Sequence, residues 1–147
     1  MKTLLLTLSL LSFVNAFAEP IFLVTLEEMQ ASNDAPVQIS PKSSPAKDAP
    51  VIEVLTPKLP GSISSPTIID LKFQAVSPSK VKPESFLALY GTFQIDITKK
   101  LLSVAKVTET GVKVQEAALP KGAHKILLMI EDTSGRIGNR TIEFEVR

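Results

Sequence analysis

The sequence predicts an all-β sandwich of about seven antiparallel strands. Three observations predict it. Short apolar runs with a period of two follow one another after Pro50, Gly- and Pro-containing turns separate them, and no segment keeps a helical period. Strands of this length, spaced this closely, must bury their apolar rows between two packed sheets.

Val51 to Leu55 is the first strand, stopped by Pro57, Pro60 and Gly61. Thr67 to Val76 is the clearest. Ile69, Leu71, Phe73 and Ala75 alternate with Asp70, Lys72 and Gln74, as in a half-buried strand. Phe86 to Tyr90 is the third, closed by Gly91. In the fourth, Phe93 to Thr98, the residues Phe93, Ile95 and Ile97 share a face. Leu101 to Val107 fits either a strand or a short helical turn. Gly111 to Ala117 turns Val112 and Val114 inward, and Leu119-Pro120-Lys121-Gly122 is a turn. Ala123 to Glu131 follows. Asp132-Thr133-Ser134-Gly135 is then a turn in which the Asp side chain bonds its own backbone and Gly takes a positive φ. Asn139 to Val146 ends the fold, with Ile142, Phe144 and Val146 inward.

Ahead of this body the chain has a different character. Lys2, the apolar run Leu4 to Val14 and the Ala16-Phe17-Ala18 pattern make residues 1–18 a secretory signal peptide, too short to span a bilayer comfortably. Residues 19–30 hold the consecutive apolar side chains Ile21, Phe22, Leu23 and Val24, then Thr25-Leu26-Glu27-Glu28. That tetrapeptide fits a capping box. It starts either a short helix from Leu26 to about Ser32 or nothing of fixed structure. Residues 31–50 carry Pro36, Pro41, Pro45 and Pro50 among Ala, Ser, Asp and Lys and read as a disordered linker. The sandwich then occupies residues 51–147.

Charge and composition exclude several function classes. Removal of Lys2 with the signal leaves 15 Lys plus Arg against 15 Asp plus Glu. A neutral chain lacks the basic stripe that nucleic acid requires and the charge that anionic lipid heads attract. There is no cysteine, hence no disulfide and no lipid-bearing cysteine. The expected product is soluble, periplasmic or secreted, and not membrane-inserted once the signal is cleaved.

Candidate chemistry is sparse. His124 is the one histidine, on the face of Ile126, Leu128 and Ile130. A metal site needs several converging ligands, so His124 is expected at a strand end, packing on the core edge and bonding a carbonyl. Nucleophilic catalysis needs a base beside the nucleophile, and no such constellation is visible. The expectation is no enzyme, no cofactor and no metal. Asp132 and Glu131 lack the further oxygens that calcium demands. Phe73, Phe93 and Phe144 read as core, which leaves little aromatic surface for sugar.

Three features of the last thirty residues carry a resemblance. They are Leu119-Pro120-x-Gly122-x-His124, Ile126-x-Leu128-x-Ile130-x-Asp132-x-x-Gly135, and Phe144-x-Val146. With them, residues 51–147 resemble bacterial immunoglobulin-like domains of extracytoplasmic proteins. The resemblance implies an immunoglobulin-like sandwich and says almost nothing about activity. The antibody pattern is absent, for there is no cysteine pair and no tryptophan, and Tyr90 is not expected near the penultimate strand.

One detail calls for a cover. Leu127 and Met129 fall on the face opposite Ile126 and Leu128. Either a loop covers them, with Ile21 to Leu26 as the candidate cover, or a partner does. The expected function is a non-catalytic binding or scaffold module contacting another envelope protein, with Ile21, Phe22, Leu23, Val24, Leu127 and Met129 as contact residues. The alternatives are a periplasmic copper carrier of β-sandwich type and an accessory without ligand. Such carriers typically use an N-terminal histidine and further histidines, whereas this mature chain would begin at Glu19.

Overall fold

The computed structural model describes residues 21–36 and 46–147. The expected signal peptide at residues 1–18, and residues 37–45 of the expected linker, lie outside them. Two sheets face each other across one core. The first has the order β1 (Ile21–Phe22), β7 (Gly111–Ala118), β4 (Thr67–Gln74), β2 (Val51–Thr56). The second has the order β3 (Ser62–Ile63), β9 (Ile137–Val146), β8 (Gly122–Asp132), β5 (Val81–Tyr90), β6 (Ile95–Asp96). Among the described residues two helices, α1 (Leu26–Asn33) and α2 (Thr98–Leu102), complete the fold. It is the all-β sandwich that the alternation predicts.

The inward rows are those read from the sequence. Ile69, Leu71 and Phe73 face the core from β4, Val112 and Val114 from β7, and Ile142, Phe144 and Val146 from β9. Phe73 and Phe86 join the sheets, with ring centroids 5.6 Å apart. The Asp132 turn is built by its side chain. Oδ1 accepts the backbone N–H groups of Ser134 and Arg136, and Gly135 takes φ 77°. Burial alone would raise the Asp132 carboxyl. The Arg136 and Ser134 N–H groups and the Arg136 guanidinium outweigh it and hold the group below the usual carboxylate range.

Several expectations need correction. The fourth strand shrinks to Ile95–Asp96, and Phe93 is 51% exposed rather than core. The causes are local: the Gln94 N–H donates to the Gly91 carbonyl and Gln94 takes φ 52°, so Phe93 lies in a turn, and at the other end Asp96 Oδ1 accepts the Thr98 N–H at 2.8 Å as the chain enters α2, a side chain competing with the ladder. Ile97 still reaches the core, because its N–H donates to the Ala88 carbonyl. The third strand begins at Val81, earlier than Phe86, with a register shift between Lys82 and Leu87 around Pro83. Pairing is antiparallel except at β1–β7 and β3–β9, two-residue parallel contacts that the alternation does not reveal. Of the residues read as linker, 31–33 belong to α1, and Ala49 and Pro50 are buried.

The N-terminal segment belongs to the body. Thr25 Oγ1 accepts the Glu28 N–H at 3.2 Å, and Glu28 Oε2 accepts the Thr25 N–H at 2.8 Å, so the capping box forms. Glu28 also receives Lys100 Nζ at 2.6 and 2.7 Å. Leu23 and Val24 are fully buried. Ser32 Oγ accepts the Thr92 N–H at 2.8 Å beside Gly91. A methyl group at Gly91 would overlap that oxygen, and φ there is 69°; the close approach of α1 requires glycine.

Candidate binding face

Alternation sends the other row of each strand outward. In the second sheet this puts Leu87 and Leu89 of β5 on the outer face, where the register pairs Leu87 with Met129 and Leu89 with Leu127. All four side chains are half-buried, and none joins the core cluster. They form an apolar block two residues wide on each strand. Ion pairs close its ends. Lys82 Nζ meets Glu131 Oε1 at 2.7 Å on one side, and Lys125 Nζ meets Glu143 Oε1 at 2.9 Å on the other. On β9 the polar Asn139 and Thr141 border it, paired with Met129 and Leu127. The Lys82 ammonium is held above its ordinary value by its hydrogen bond and charge contact with Glu131.

Of the six contact residues expected from sequence, only Leu127 and Met129 lie on this face. Ile21 and Phe22, 39% and 60% exposed, sit on an edge strand of the opposite sheet. Leu23 and Val24 point into the core and present nothing to a partner. The idea that Ile21 to Leu26 covers Leu127 and Met129 is therefore corrected. That segment pairs with β7, where Leu23 N–H donates to the Ala118 carbonyl at 3.1 Å. Sequence reading missed Leu87 and Leu89. Their alternation about Ala88 was visible, but the pairing that sets them beside Met129 and Leu127 was not.

A concavity of about 270 Å³ lies between the end of α1 and the strands β5, β8 and β9. His124 and Tyr90 form its inner wall. The His124 Nε2 lies 2.7 Å from the Pro120 carbonyl, which can only accept, so Nε2 carries the proton. Nδ1 is then the acceptor and the Tyr90 hydroxyl donates to it at 2.8 Å. The imidazole also stacks on Phe144, with centroids 5.5 Å apart. Burial lowers the His124 pKa despite the opposing carbonyl bond. Burial, with a smaller push from the Glu28 charge, raises Tyr90 to about 12. Both ring nitrogens are thus engaged within the protein, as a satisfied strand-end histidine requires. Tyr90, far from β8 in sequence, is its direct neighbour in space, paired with Ile126, which corrects the sequence expectation. Among the described residues, no three His, Asp or Glu side chains gather as a metal site would need. No helix among them is long and apolar enough to cross a membrane.

No protein-family model matches the chain, and no curated protein matches it. Solved structures with similar folds include an engineered protein at 12% identity and TM-score 0.45, covering 67% of this chain. The chain spans 20% of that protein's length. CopC from Methylosinus trichosporium OB3b is 14% identical with TM-score 0.44, covering 65% of this chain and 93% of CopC. Murine CRIg is 12% identical with TM-score 0.39, covering 67% of this chain and 96% of CRIg.

Proposed function

We propose that the chain is a non-catalytic binding or scaffold module, exported by residues 1–18, which contacts a folded protein partner in the cell envelope. The observation that carries this reading is the outer face of the second sheet. Its centre is apolar, Leu87 and Leu89 against Met129 and Leu127, and its two ends are charged. Protein contact surfaces have this anatomy, an apolar centre inside a polar rim. A free sheet face is ordinarily polar. The Tyr90–His124 pair serves stability in this reading, since each polar atom of the ring is spent on a neighbour.

The test compares two variants in the cells that make the protein, after formaldehyde crosslinking. Met129→Lys places a charge at the centre of the face, and Lys113→Glu alters the outer face of the opposite sheet. Crosslinked species are expected to disappear with the first and persist with the second. Adducts that survive Met129→Lys would refute the proposed surface.

A further inference from the structure

Resting on that reading, we infer that the partner seated on the outer face is a second copy of this chain, related by a two-fold axis. The face is self-complementary about one level of the sheet. Ala88, Leu128 and Arg140 lie side by side in register on β5, β8 and β9. Consider a two-fold axis crossing the strands at that level, between two facing sheets. Residues equally far above and below the level then meet across the interface. Leu127 of one copy faces Met129 of the other, and Leu87 faces Leu89.

The charges obey the same operation. Lys125 and Glu131 stand equally far from Leu128 on β8, on the same outward row. The axis brings Lys125 of each copy onto Glu131 of the other, twice over. Asn139 meets Thr141, so the polar border is also matched. No like charges are opposed along β8 or β9. A two-fold contact needs this property, since the same patch must fit itself.

The size of the face sets the strength. Strand spacing of about 4.8 Å and a rise of about 3.3 Å per residue make the face from Ala123 to Glu131, across β6, β5, β8 and β9, on the order of 500 Å² per copy. Twice that, about 1,000 Å², is the lower end for specific association. The dimer is therefore weak and concentration-dependent.

Sedimentation equilibrium of the mature chain tests this with a charge exchange. The wild type is expected to pass from monomer to dimer across the micromolar range. Lys125→Glu and Glu131→Lys are each expected to weaken association tenfold or more. The double variant K125E/E131K is expected to regain it, because the crossing pairs are rebuilt with reversed sign. Within one chain the exchange instead sets a carboxylate at position 125 beside Glu143 and an ammonium at position 131 beside Lys82, so improved folding cannot produce the rescue. A wild type monomeric at every concentration, or a double variant as weak as the singles, overturns the second-copy inference. Loss of envelope crosslinks with Met129→Lys would then still support the binding-module reading with a different protein.

Discussion

Leu23→Ala is expected to cost about 2–5 kcal/mol of unfolding free energy, as truncation of a fully buried leucine does. Phe22→Ala, one residue earlier, is expected to change stability by no more than about 0.5 kcal/mol. The contrast follows from burial, 1% exposed at Leu23 against 60% at Phe22. Leu23 and Val24 fill the end of the core beside β7, and α1 is fastened behind them. Its fastenings are the capping box, the Glu28–Lys100 pair and the Ser32 contact with Thr92. A detached N-terminal tether would give two equally silent substitutions. Urea titration of both variants decides it. Coincident midpoints would mean that residues 21–33 do not belong to the folded unit.

The Tyr90–His124 pair is expected to narrow the stable pH range from both sides. Burial depresses His124, so between the unfolded value near 6.5 and its lower folded value the unfolded chain binds a proton that the folded chain refuses. Stability is thus complete above that window and is lost as pH falls through it. A second acid loss follows lower down. The carboxyls of Asp132, Asp96 and Glu28 are all held below their ordinary values, so their stabilisation disappears as they take up protons. At the alkaline end Tyr90 is raised to about 12. An unfolded tyrosine ionises near 10, so stability falls as pH rises from there toward the folded value. Tyr90→Phe removes the alkaline loss. It also strands the buried Nδ1 of His124 without a donor, which costs about 1–3 kcal/mol at neutral pH. Unfolding midpoints measured from pH 4 to 11 check both arms. A profile flat between pH 5 and 7 would contradict the buried neutral histidine.

What the sequence makes legible is what depends on period and turn chemistry. The rows Ile69-Leu71-Phe73 and Ile142-Phe144-Val146, the Asp132 turn and the Thr25 capping box are local patterns. They reappear in the structure because local geometry and burial agree there. What stayed hidden depends on neighbours distant in the chain. Alternation makes Phe93 look like core, but the Gly91–Gln94 turn holds it at the surface. Two-residue parallel strands such as β1 and β3 have no period to detect. The candidate face was half visible. Leu127 and Met129 stood out on a strand whose other row is also apolar. Leu87 and Leu89 needed the β5–β8 register. His124 was legible as a strand-end residue, but its Tyr90 partner sits 34 residues away.

If the outer face of β5 and β8 is the working surface, it must touch its partner in the cell. Site-specific photo-crosslinking in producing cells tests this most directly, with a photoreactive residue at position 129 compared with one at position 115 on β7. Adducts from 129 and none from 115 are the predicted result. Adducts from 115 alone would contradict it.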